Sequence, residues 1–283
     1  MDALNRRIAL LASDRESGAS DILDQVVAIL RDAVAAGVPL PPVARALCRA
    51  QPSMAPVWNA ALEVLGPDGP ARLETFARRA ARASDAVVRV GTGFLLDDGQ
   101  QSLNVVTVSF SRSVAMLLEA LAARRPVRVF CSESRPALEG RRLASRLAGG
   151  GIPVTVYGDA AIGRALAPAD AVLVGADAVG PEWFLNKSGT RMLAAAAAQQ
   201  GVPLYVVATR EKFVGHGVAA RLALRDGAPA EVWDAPPAGV TVSNPYFEAT
   251  PLELVASLIT DIGVIGAASA AEVGTEYEYV KLI

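Results

Sequence analysis

Histidine occurs once in these 283 residues, at His216, and cysteine only twice, at Cys48 and Cys131. So few soft ligands argue against a zinc or iron–sulfur centre and against a disulfide framework, so no metal or cofactor is expected. Basic excess is missing as well. The 27 basic and 29 acidic side chains leave a formal charge of −2, without the surplus by which general nucleic-acid binders displace counterions from phosphates. Long apolar runs are absent too: the richest window, Met192 to Thr209, is broken by Gln199, Gln200, Gly201 and Pro203, short of a membrane span. The opening Met1-Asp2-Ala3-Leu4-Asn5-Arg6-Arg7 lacks the apolar block of a signal peptide, so a cytoplasmic location is expected. Lysine is scarce, with Lys187, Lys212 and Lys281 the only three. What the chain does have is a 52% hydrophobic content and enough length for about two domains of roughly 150 residues each.

The first part of the chain reads as helical. Ile22, Leu23, Val26, Val27, Ile29 and Leu30 recur at helical spacing behind Ser20, read as an N-cap. Leu40 to Cys48 and Val57 to Leu65 follow, punctuated by Pro41, Pro52, Pro56, Pro67 and Pro70, and Arg72 to Ser84 reads as a longer helix. From about Asp85 short β-branched runs alternate with alanine-rich segments. The expected strands are Ala86–Val90, Asn104–Val108, Val127–Cys131, Val154–Val156, Ala171–Val174 and Leu204–Val207, and the expected helices Ser113–Ala123, Leu138–Leu147, Ala160–Leu166 and Lys187–Gln200. Apolar strands separated by helices are what a parallel sheet buried on both faces requires. The expected fold is therefore α/β: a helical N-terminal domain over 1–84, followed by a Rossmann-like, doubly wound parallel-sheet domain over 85–283.

In such sheets ligands bind where strands end and helix N-termini begin, since free amides there favour anions. Three stretches fit. Ser109-Phe110-Ser111-Arg112-Ser113 follows one strand and reads either as a phosphate grip or as a capping hydroxyl beside a solvated arginine. After the next strand come Ser132-Glu133-Ser134-Arg135-Pro136 and Glu139-Gly140-Arg141-Arg142; Pro136 excludes mid-helix, and Arg135 either grips a phosphate or is neutralised by Glu133. The third is Gly175-Ala176-Asp177-Ala178 with Asn186-Lys187-Ser188-Gly189-Thr190, where a partly desolvated Asp177 suits a general base and Lys187 tunes it or holds a substrate oxygen. Cys131 and Cys48 read as packed small hydrophobes, and His216 as a loop residue.

Those stretches, with Gly151-Ile152-Pro153-Val154, Gly201-Val202-Pro203 and Asn244-Pro245-Tyr246-Phe247-Glu248-Ala249-Thr250-Pro251, resemble the translation initiation factor 2B alpha/beta/delta family. That family includes methylthioribose-1-phosphate isomerase and ribose-1,5-bisphosphate isomerase. The resemblance covers about residues 105 to 265, with an echo at Ser17-Gly18-Ala19-Ser20. It implies homodimers or larger homo-oligomers and a phosphosugar pocket between the domains, with Gly18, Ala19, Ser111, Arg112, Glu133, Arg135, Asn186 and Lys187 as binding residues and Asp177 as catalytic. It also implies a catalytic cysteine where this chain has Ser109, in a Ser-Phe-Ser-Arg setting closest to the initiation-factor alpha-type members. Two phosphate-binding arginines of the isomerases correspond to Ser17 and Gln51.

The expected function follows from these departures. It is binding of a phosphorylated sugar or nucleotide monophosphate in an isomerase-derived cleft, without Cys-dependent isomerase activity. The alternative is an active aldose–ketose isomerase of a pentose phosphate, in which Ser109 or a water stands in for the thiol. Translational guanine-nucleotide exchange would rest on fold kinship alone, which is weak evidence of function. Expected partners are a phosphorylated small molecule and further copies of the chain, with no membrane and no direct nucleic acid.

Overall fold

The computed structural model describes residues 2–14, 17–97, 99–224 and 226–283. Its first elements are α1 (Asp2–Ser13), α2 (Ala19–Ala35), α3 (Leu40–Ala50), α4 (Ala55–Leu65) and α5 (Gly69–Leu96). Pro41, Pro56 and Pro70 sit in the first two positions of α3, α4 and α5, where a missing N–H costs nothing, so three of the five prolines that punctuate the sequence start helices, while Pro52 and Pro67 lie in the turns between them. The cap of α2 is Gly18, not Ser20, which lies one residue inside the helix. Ile22, Val26 and Leu30 of α2 pack with Leu47, Val57 and Phe76 into a fully buried cluster.

One expected strand is a helix. Ala86–Val90 lies within α5, because Ala83, Val87, Gly91 and Leu95 are buried at intervals of four and form one helical face. At Gly91 an added Cβ would meet Leu117 and Ile259 side chains at 2.9 to 3.1 Å, so a residue without a side chain lets the helix press against the layer that follows. Residues 84 and 85 therefore lie inside one continuous helix, packed against the helical cluster at one end and against the sheet layer at the other.

The layer comprises β1 (Leu103–Thr107), α6 (Arg112–Ala122), β2 (Val127–Ser132), α7 (Glu139–Gly149), β3 (Val154–Tyr157), β4 (Ala171–Gly175), β5 (Ala178–Val179), β6 (Trp183–Lys187), α8 (Thr190–Gln200), β7 (Leu204–Val207), β8 (Phe247–Pro251), β9 (Ser257–Thr260) and β10 (Gly263–Ile265). The large sheet has seven strands in the order β10-β9-β7-β4-β1-β2-β3, parallel except for the edge pair β9–β10. Successive residues feed opposite faces: Val106, Val172, Val174 and Val206 join one apolar cluster, Val105, Leu173 and Val207 the other. The fold is thus the mixed α/β arrangement expected, helices first and a mostly parallel sheet second. Residues 159–166 form a 3-10 turn rather than an α-helix.

A second sheet, β5-β6-β8, is antiparallel and corrects the reading of residues 186–190. Asn186 and Lys187 end strand β6; the turn at Gly189, with φ at +99°, separates them from α8. They pair with Glu248 and Phe247 of β8. Glu248 then accepts hydrogen bonds from the amides of Gly189 at 2.7 Å and Arg191 at 2.9 Å, closing the start of α8.

Candidate functional site

The strand order reverses at β1: β2 and β3 lie on one side of it, β4 and β7 on the other. Loops leaving β1 and β4 therefore diverge and open a crevice at the carboxyl edge of the sheet. Into it run Ser109 to Arg112 after β1, and Gly175 at the end of β4 with Ala176 and Asp177 after it. Gly175 allows their approach, since a Cβ there would sit 2.6 Å from Ser111 Oγ. That hydroxyl also accepts the Val114 amide at 3.4 Å and caps α6. Ser109 sits in the left-handed region at φ +63°, and its amide donates to Ser134 Oγ at 2.8 Å.

The helical segment covers the crevice. Gly18, Ala19, Gln51 and Met54 join the lining, and the crevice has a volume of about 100 Å³. Ala55 donates its amide to the Asp177 carbonyl at 3.0 Å, while Asp177 donates its own to Leu185 at 2.8 Å, so both the helical part and β6 fix this residue. From α4, Asn59 Nδ2 reaches the carbonyls of Glu211 and Phe213, each at 2.9 Å, and holds the turn that carries Lys212.

The ionisable side chains in the floor are balanced. Asp177 is half-buried, and burial pushes its carboxyl from 3.8 up to about 6 even though Lys212 and Lys187 pull it down; Glu139 adds to the rise. Burial likewise lowers the Lys212 ammonium, against the attraction of Asp177 and Glu211. Lys187 is 3% exposed, and its Nζ lies 2.7 Å from Glu139 Oε1 and 4.3 Å from the centre of the Tyr246 ring. Asn186 Nδ2 donates to Thr190 Oγ1 at 3.0 Å. Arg112 forms an ion pair with Asp21 in the first turn of α2.

Of the residues singled out in the sequence, Gly18, Ala19, Ser109, Ser111, Arg112, Asp177, Asn186 and Lys187 line this one crevice. Glu133 and Arg135 are not brought to it. Arg135 Nε bonds Glu133 Oε1 at 3.0 Å, Arg141 takes the other oxygen at 2.5 Å, and these two guanidinium groups hold Glu133 below the usual carboxylate range. Asp159 fixes their loop by accepting the amides of Ser134 and Arg135, each at 2.7 Å. What that loop gives the crevice is Ser134, the prop under Ser109, and the helix start that follows it adds Glu139. Gln51 is turned to support, with Nε2 donating to the Leu11 carbonyl at 2.6 Å. Cys131 is fully buried, its thiol raised to about 11 by burial, and neither it nor buried Cys48 joins the lining. Sequence reasoning gave no role to Lys212, or to Glu139, which it quoted only as part of the stretch after β2. The scarcity of lysine could have flagged the first; nothing local flags the second.

Comparison with known proteins agrees with this architecture. Methylthioribose-1-phosphate isomerase of Chloroflexus aurantiacus is 34% identical over 171 residues, 57% of this chain and 49% of the relative, so the chain spans about half that protein's length. Ribose 1,5-bisphosphate isomerase of Haloterrigena turkmenica is 35% identical over 208 residues, 68% of this chain and 62% of the relative. The crystal structure of the Pyrococcus horikoshii OT3 translation initiation factor eIF-2B superposes with a TM-score of 0.79 at 25% identity, covering 94% of this chain and 97% of that one. The profile of the Initiation factor 2 subunit family matches residues 40–267, and the chain belongs to that family.

Proposed function

We propose that this protein binds a phosphorylated sugar or nucleoside monophosphate in the crevice at the β1–β4 switch point and does not carry out Cys-dependent isomerisation. The observation that carries the reading is Ser109. It lines the crevice with Asp177 while both thiols of the chain lie buried outside it. A thiol ionises near ~8.5 and can be tuned toward neutrality; a serine hydroxyl does not ionise in any accessible range and can only hydrogen-bond a sugar.

The phosphate is assigned to the wall formed by Gly18, Ala19 and the Ser109–Arg112 loop. Gly18 caps α2 without a side-chain acceptor, which leaves first-turn amides for an anion, and Arg112 covers the nearby Asp21. Sugar hydroxyls then face Asp177, Asn186, Lys187 and Lys212. Calorimetry with ribose 5-phosphate and AMP tests this. Lys187→Ala is expected to weaken binding about tenfold or more, the worth of one charge-assisted hydrogen bond. Unchanged affinity removes the crevice as the binding site.

A second reading, an active sugar-phosphate isomerase, is favoured by Asp177, whose carboxyl near 6 suits proton transfer at neutral pH. NMR detection of ketose from methylthioribose-1-phosphate separates the two. No turnover is expected in the unaltered protein, and Ser109→Cys is expected to create it. Turnover that Asp177→Asn abolishes replaces the binding reading with the enzymatic one. Family membership also supports a homodimer or larger homo-oligomer, which light scattering measures directly.

A further inference from the structure

Glu139 opens α7 directly after Leu138, a residue in the left-handed region at φ +59°. Gly140 presses against the end of β2, where an added Cβ would fall 1.7 Å from the Ser132 carbonyl oxygen, so the start of the helix is pinned. From there the Glu139 side chain, 14% exposed, reaches Lys187 at 2.7 Å and lines the crevice. The Lys187 ammonium thus has a carboxylate and the Tyr246 ring around it, two groups that favour a cation. A pair this little exposed is weakly screened by salt.

We propose, building on the phosphate-ligand reading, that Glu139 sets the charge accepted at the Lys187 end of the crevice. The ligand presents uncharged hydroxyls there and carries a single phosphate, at the opposite wall. Three observations support this. The charge of Lys187 is already matched, so a second phosphate arriving there gains little from the ammonium and is repelled by the carboxylate. The other oxygen of Glu139, Oε2, is buried with no hydrogen-bond partner among the described residues. A hydroxyl donates to a carboxylate whereas a phosphate dianion has no proton to give, and rotation about the broad terminal torsion brings either oxygen round while Lys187 keeps the other. Finally, Asp177 stands close enough for Glu139 to raise its carboxyl, so two acids share this end with Lys187 and Lys212.

The test is calorimetry on the full chain with ribose 5-phosphate and ribose 1,5-bisphosphate as probes. The unaltered protein is expected to bind the monophosphate about tenfold more tightly than the bisphosphate, the scale of one like-charge contact. Glu139→Gln keeps the shape and removes the charge. It is expected to tighten bisphosphate binding about tenfold relative to monophosphate binding, which abolishes the preference. Glu139→Asp keeps the charge and should retain the original preference, which guards against a Gln variant that fails to fold. Equal affinities in the unaltered protein, or a ratio unmoved by Glu139→Gln, overturn the role of Glu139 and leave the phosphosugar reading intact. Binding of neither probe by any of the three proteins overturns that reading, and this inference with it.

Discussion

At Asp177 burial outweighs two nearby lysines and holds a carboxyl near 6 against an ordinary 3.8. Between those values the folded chain holds a proton that the unfolded chain releases, so the stability present below about pH 4 declines as pH rises through about 6. At roughly 1.4 kcal/mol per pH unit the charged acid costs on the order of 3 kcal/mol above that point. Asp177→Asn is therefore expected to raise the melting temperature at pH 7.5 and to change it little at pH 4. Thermal scans at both values check this, and equal melting temperatures at pH 7.5 would place the acid in water. Asp177 was legible in the sequence because a lone carboxylate follows an apolar strand. Lys212 was not: it stands in Thr209-Arg210-Glu211-Lys212, where no local pattern separates a floor residue from a solvated one. Glu139 at a helix start reads as a dipole-complementing acid, and only the arrival of Lys187 from β6 makes it part of the site.

Elements differ in how plainly the sequence announces them. β1, β2, β4 and β7 are mainly apolar and mostly buried, interrupted only by residues such as Asn104 and the exposed Arg128, and their positions could be read directly. Ala86–Val90 has the same β-branched composition yet is helical, because the residues before and after it extend a buried face at four-residue intervals. Gly91 on that face is the contact point with α6 and β9. Gly91→Val is expected to cost about 1–3 kcal/mol by overpacking, although valine is the better helix former. Urea denaturation measures it, and a neutral or stabilising result would mean that Leu117 and Ile259 yield freely. The small sheet β5-β6-β8 escaped notice because β5 has two residues, and β6 and β8 mix polar with apolar ones; their antiparallel pairing joins segments some 60 residues apart. That pairing moves Asn186 and Lys187 from a helix start to a strand end.

Across the whole molecule, the site depends on contacts between the helical segment and the sheet layer. Ala44, Cys48, Trp58 and Leu62 pack with Ala178, Leu185, Val214 and Tyr277 in one buried cluster, and Asn59 ties α4 to the Lys212 turn. Asn59→Ala leaves two carbonyls without their donor and is expected to cost about 1–3 kcal/mol. The same change should weaken binding of ribose 5-phosphate, since Lys212 loses its mooring. Paired thermal melts and calorimetry check both, and a loss of stability with affinity intact would make Asn59 a purely structural tie. The described residues contain no helix long and apolar enough to cross a membrane. By itself the sequence determined the helical start, the strands β1, β2, β3, β4 and β7 of the parallel sheet and many of the side chains at its carboxyl edge, because hydrophobic period and strand-end position are local properties. Which of those side chains share one space was decided only by the tertiary structure. Glu133 neutralises Arg135 outside the crevice, while Glu139 and Lys212 enter it from distant turns, since charge pairing depends on distances that no spacing along the chain encodes.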